Sequence, residues 1–174
     1  IWLNEGFATW SEAYWIEQAS GWSTYMAYMD GAAYMGSGTI IVEDPNDFWG
    51  IFDSNLSYNK ASWVVHMLRG ALGDDAFFQA LKDYRAEYIY SSATTEQFRD
   101  AVEQSSGVEL DDFFQQWIYG EYFPVYRSGW GQTGSELTVQ IEQVQTNTDL
   151  FHMPITLRVT TDVETTDLIV DNSL

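Results

Sequence analysis

Two carboxylates near the beginning of the sequence, Glu5 and Glu12, are the first residues whose type and spacing could do chemistry. Seven residues is close to two turns of an α-helix, so in a helical segment both project from one face. Read by spacing alone, Glu5 is a solvated acid near a helix start, where the backbone dipole favours negative charge. Glu12 is likewise a surface acid or a partner that orients a neighbouring group. A second reading is paired acid–base work. The rise along the helix sets the two about 10 Å apart, near the upper end of carboxylate spacing in inverting glycosidases. With 8 Trp and 11 Tyr in the chain, a sugar cleft is one open possibility. The two histidines, His66 and His152, do not fall in an H-E-x-x-H pattern. His66 reads as a core or partly exposed side chain, and His152 is assigned no role. Cysteine is absent, which excludes disulfides and thiolate metal ligands.

The elements that must position these residues are mostly helical through residue 123. Trp2, Phe7, Trp10, Tyr14 and Trp15 recur at spacings that suit a buried helix, and Gly21 is its stop. Ser23 is expected to cap a second helix with Tyr25, Met26, Met29 and Ala33 on its buried side. Residues 36–55 contain Gly38, Pro45, Asn46, Asp47 and Gly50 and read as a long irregular connection. Ser57 is expected to cap a helix over 58–72, with Gly73 as its stop. Further helices are expected over 74–88, from the capping box Thr94–Gln97 to Gly107, and over 110–119. After Pro124 the pattern alternates: Leu137 to Ile141, Ile155 to Thr160 and Leu168 to Val170 predict three short strands. The fold class is therefore α+β, mostly α, with a helical region over 1–123 and a small β region over 124–174.

Composition narrows the function. The chain has 174 residues, 45% of them hydrophobic, enough for a packed core. Lys and Arg total 7 against 26 Asp and Glu, a net charge of −19. That field repels a phosphate backbone and an anionic lipid surface, so neither nucleic acid nor membrane is an expected partner. No apolar run is long enough for a transmembrane span. Scattered acidity of this kind suits a secreted protein or a high-salt source.

The segment Trp2-Leu3-Asn4-Glu5-Gly6-Phe7-Ala8-Thr9-Trp10-Ser11-Glu12 closely resembles the W-L-N-E-G-F-A-x-x-x-E signature of the M1 (gluzincin) zinc aminopeptidases. A second segment, Ser57-Tyr58-Asn59-Lys60-Ala61 followed by an apolar helix, resembles the family's Y-x-K-G, with Ala61 where the family usually has Gly. A weaker likeness runs from Thr94 to Tyr126. The resemblance covers about residues 1–126, and beyond them the family commonly continues into a β-sandwich-like domain.

The resemblance implies a metallopeptidase whose zinc is bound by two histidines of an H-E-x-x-H helix and by the Glu of N-E-G. It places that glutamate ligand at Glu5 and the phenol that stabilises the oxyanion at Tyr58. Glu12 becomes a candidate for orienting a ligand, and Lys60 matches the family lysine. It also implies a peptide as substrate, cleaved at its N-terminus. Neither histidine lies in an H-E-x-x-H pattern, and the family carries that segment on an earlier helix, so it is expected upstream of Ile1; the start without an initiator Met or a signal peptide reads as that of a chain cut from something longer. A single carboxylate does not hold zinc tightly, so the isolated chain is expected to lack both a strong zinc site and peptidase activity. Two alternatives carry weight beside this reading: a non-catalytic helical interaction module, and the carbohydrate-active module considered above.

Overall fold

The structure, a computed structural model, describes residues 1–172. Among the described residues seven α-helices are followed by four β-strands, in two compact units, Ile1–Gly120 and one that begins at Glu121. The architecture is α+β and mostly helical, as the sequence implies.

Helix α1 (Trp2–Ser20) buries Trp2, Gly6, Trp10 and Ala13, a stripe at spacings of three and four. Trp15 does not join it: five residues past Trp10, it lies on the opposite side of the helix and is 73% exposed. Gly21, at φ 84°, ends α1 and opens α2 (Trp22–Gly31), so the cap expected at Ser23 belongs to Gly21. Tyr25 and Met29 are the buried residues of α2, while Met26 is half-buried and Ala33 is exposed beyond the helix end.

The connection over 36–55 is irregular except for the single turn α3 (Phe48–Ile51). A π-helical segment, Ser54–Lys60, then leads into α4 (Ala61–Leu72). Its cap is Asp53, whose carboxylate accepts from the backbone N–H of Asn55 and Leu56. Ser57, expected as the cap, is instead buried inside the segment and donates its hydroxyl to Ile51 O at 2.8 Å. Helices α5 (Asp74–Tyr88) and α6 (Thr95–Ser106) follow, α6 with the capping box between Thr94 and Gln97 and a left-handed Gly107 at its end. The final helix starts as α7 (Asp111–Phe114) and continues as a second π-helical segment, Gln115–Tyr119.

Aromatic side chains hold this unit together. Phe98 is fully buried and meets Trp2, Phe7, Tyr84 and Phe114, with centroids 4.9 to 6.1 Å apart. Trp10 packs on Phe77 at 5.3 Å and donates its indole N–H to Tyr25 at 3.1 Å. Arg69, at the end of α4, is 6% exposed. It forks onto the Glu17 carboxylate of α1 and the Asp74 carboxylate of α5. Such planar pairing satisfies the buried guanidinium, with Glu17 half-buried beside it and Asp74 open to solvent.

The second unit is two antiparallel hairpins. Strand β1 (Tyr126–Thr133) pairs with β2 (Glu136–Gln143), and β3 (Pro154–Thr160) pairs with β4 (Thr165–Asp171). Strand β1 is additional to the three strands that alternation predicts. Gly129 and Gly131 break the apolar pattern in it, and pairing with β2 supplies the order that the pattern lacks.

Candidate active site

Glu5 lies in the first turn of α1 and is half-buried. The backbone N–H groups of Asn4 and Glu5 both donate to Ile1 O, at 2.8 and 3.1 Å. The positive end of the helix dipole therefore sits beside this carboxylate. Asn4 Nδ2 donates to Glu5 Oε1 at 3.3 Å.

Tyr58 comes from the π-helical segment and meets Glu5. Its phenol is pushed above the ordinary tyrosine range, first by burial, then by the negative charge of nearby Glu5. A phenol so shifted stays protonated and remains a hydrogen-bond donor. π-helical turns are rare and recur at functional sites, and here one carries the tyrosine.

What brings residues 5 and 58 together is a close helix crossing. Gly6 of α1 faces Ala61 of α4: a methyl added to Gly6 would stand 2.6 Å from Ala61 Cβ and 3.1 Å from the Ala61 carbonyl carbon. Ala61 is itself fully buried. Only glycine at position 6 permits this approach, and the residue before it is Glu5. The departure at Ala61 from the Y-x-K-G pattern thus falls at the contact point of the two site-bearing helices.

Lys60 is buried at 7% exposure. Its Nζ donates to Gly38 O at 3.0 Å and to Gly120 O at 2.9 Å. Glu12 is exposed and accepts a hydrogen bond from the Tyr28 hydroxyl of α2. That bond, with burial and the charge of Glu12 behind it, pushes the Tyr28 phenol up to about 12. His66 packs in the helical core: its Nδ1 is 2.6 Å from the Tyr25 hydroxyl, and its ring meets Trp63 edge to face at 5.1 Å. Burial, and next the Arg69 charge, lower its pKa below the ordinary histidine value.

Chemically, the Glu5–Tyr58 pair offers one hard oxygen donor for a cation and one O–H donor for a developing negative charge. Among the described residues, no three His, Cys, Asp or Glu side chains gather as a metal set. Glu5 fits a zinc ion as a single ligand. The motifs include Glu5, Gly6, Tyr58, Lys60 and Ala61, but they do not show that Gly6 meets Ala61, that Lys60 bridges two carbonyls or that Asp53 is the cap. For the cap the signal was present, an Asp two and three residues before the N–H groups it accepts from.

A sequence model of the peptidase family M1 domain matches residues 1–117. Aminopeptidase M1-B of Oryza sativa subsp. japonica is 30% identical over 135 residues, 72% of this chain and 15% of that protein. Probable aminopeptidase 2 of Sulfurisphaera tokodaii is 27% identical over 176 residues, 91% of this chain and 22% of that protein. The chain thus spans about a fifth or less of the length of these curated relatives. The fold matches aminopeptidase A of Legionella pneumophila, solved in complex with aspartic acid. That match has a TM-score of 0.79 and 18% identity, and covers 98% of this chain and 20% of that one. Neither the carbohydrate-active nor the non-catalytic reading finds support in these matches. Among the described residues no helix is long and apolar enough to cross a membrane. The chain belongs to peptidase family M1.

Proposed function

We propose that this chain forms part of the catalytic region of a zinc aminopeptidase, with Glu5 as a zinc ligand and Tyr58 as the oxyanion donor. The observation that carries the reading is the meeting of Glu5 and Tyr58 across the Gly6–Ala61 crossing, from two motifs more than fifty residues apart. The names of the relatives support aminopeptidase action on peptides. In this reading residues 1–123 are the helical half of the catalytic domain and residues 124–174 the start of a β-sandwich-like domain.

Glu5 holds one coordination position, and two histidines and the general base come from an H-E-x-x-H segment outside these 174 residues. When bound, zinc supplies a Lewis acid and acidifies water. Tyr58 Oη would donate a hydrogen bond to the carbonyl oxygen of the scissile peptide, and that hydrogen bond strengthens as negative charge builds on the oxygen. A donor so placed is worth about 3 kcal/mol, or a factor of 10² to 10³ in rate. Glu12, held by Tyr28, helps to orient the α1 face that presents Glu5.

In the full-length protein, Glu5→Ala is expected to lose zinc by metal analysis. Tyr58→Phe is expected to keep zinc and lose about 10²-fold or more in kcat; wild-type turnover by Tyr58→Phe overturns the assignment. The 174 residues alone are expected to bind zinc weakly and to turn over no peptide. Calorimetric titration checks this, and submicromolar one-to-one binding contradicts it.

A further inference from the structure

Lysine is among the residues least often buried, yet Lys60 lies inside the helical unit two residues after Tyr58, in the same π-helical segment. Its ammonium bridges two backbone carbonyls from distant parts of the chain, Gly38 in the irregular connection and Gly120 just past the second π-helical segment. The same two stretches are stitched by a backbone hydrogen bond from Ile40 N to Ile118 O at 3.2 Å. The side chain is therefore a three-way clasp, joining the tyrosine-bearing turn, residues 38–40 and residues 118–120. A π-helical turn is a less favourable backbone arrangement than the α-helix that follows it, so it needs external anchors to hold its register. Asp53 anchors its beginning and Lys60 its end. Tyr58 lies between them.

We propose that Lys60 is a positioning residue for Tyr58: by pinning the end of the π-helical segment to Gly38 and Gly120, it fixes where the phenol points. This rests on the assignment of Tyr58 as the oxyanion donor. An ammonium is a compact point charge and a guanidinium a wide planar fork, so arginine cannot take the same place between two carbonyls 2.9 and 3.0 Å from Nζ without moving the turn. A merely structural lysine would lower the amount of folded enzyme, whatever stands at position 58. A positioning lysine acts only while the Tyr58 hydroxyl is there to be aimed.

The test is a double-mutant cycle in the full-length peptidase, with kcat and KM measured per folded, zinc-loaded molecule. Lys60→Met is expected to lower kcat about tenfold or more with KM within about twofold of wild type. In the Tyr58→Phe background the same change is expected to cost less than about twofold. Should Lys60→Met fail to fold, Lys60→Arg serves. It is expected to lower kcat about threefold or more, again only when Tyr58 is present. Wild-type kcat in the folded Lys60 variants, or an equal loss in both backgrounds, overturns the role of Lys60 and leaves Tyr58 in place. Full activity of Tyr58→Phe alone overturns the Tyr58 assignment, and the role of Lys60 with it.

Discussion

In the helical unit Trp2, Trp10, Tyr25, Phe77 and Phe98 are each no more than 3% exposed, whereas in the β unit Trp130 and Ile169 are 76% and 74% exposed. The helical unit fixes its geometry by side chains, aromatic on aromatic, with the buried Arg69 fork tying three helices. The β unit fixes its register by backbone ladders and exposed ion pairs, Arg127–Glu142 and Arg158–Asp167. Its apolar residues Leu137, Val139, Ile155, Leu157, Leu168 and Val170 line an open trough of about 840 Å³ rather than a closed core. The difference explains where a site needing fixed distances can be built. Glu5 and Tyr58 stand on elements whose positions are set by dense packing, and packing transmits small errors directly to their separation.

The largest effect should come from emptying that packing. Phe98 touches four other rings and is fully buried, so Phe98→Ala is expected to cost about 3–5 kcal/mol. Chemical denaturation followed by tryptophan fluorescence measures it. A loss below about 1 kcal/mol would mean that the helical unit is packed no better than the hairpins, and the contrast would collapse.

Next in size is the crossing itself. Gly6→Ala gains about 1 kcal/mol of helix propensity. It also forces a methyl to within 2.6 Å of Ala61 Cβ, an overpacking that costs about 1–3 kcal/mol. Both atoms at the clash are rigid, so the helices must part and the clash is expected to win. Activity should fall further than stability, because the parting separates Glu5 from Tyr58. Ala61→Gly in the same molecule should recover most of both losses. If the swap recovers nothing, α1 and α4 are not registered at this point.

These two cases mark what the sequence could carry. Glu5 and Tyr58 are legible because their neighbours are an unusual string of residue types. The crossing that joins them is not, since it depends on a small residue at position 6 meeting a small residue at position 61, and no local pattern records such a meeting. The helices at 74–88 and from Thr95 were legible from caps and stops. The π-helical turn was not: its residues look like the first turn of the following helix, which is why Ser57 reads as a cap and is instead buried, with Asp53 in that role. Trp15 misleads in the opposite way. A large aromatic near others in sequence suggests burial, and only its angle around the helix shows that it faces outward.

A smaller effect separates the units by pH. Burial and Arg69 lower the His66 pKa in the folded state, so the unfolded chain takes up a proton more readily. The stability this contributes is complete above the ordinary histidine value of about 6.5 and is lost as pH falls from there towards the lowered folded value. Thermal melting of the helical unit should therefore weaken just below pH 6.5, and His66→Gln should flatten that limb. An unchanged limb in His66→Gln would assign the slope to other groups.

The smallest effect is expected where the largest exposed side chain of the β unit stands. Trp130 on β1 faces Val139 across the hairpin, a cross-strand pair of a kind worth about 0.2–1 kcal/mol. With three quarters of its surface already in solvent, Trp130→Ser removes little burial, and the backbone ladder from Tyr126 to Thr133 is untouched. The expected cost is about 0.5 kcal/mol, against several for Phe98→Ala although tryptophan is the larger side chain. Equilibrium denaturation of both variants puts the numbers side by side. A cost for Trp130→Ser near that of Phe98→Ala would show that the β unit too is held by its side chains. The site would then owe its place in the helical unit to something other than packing density.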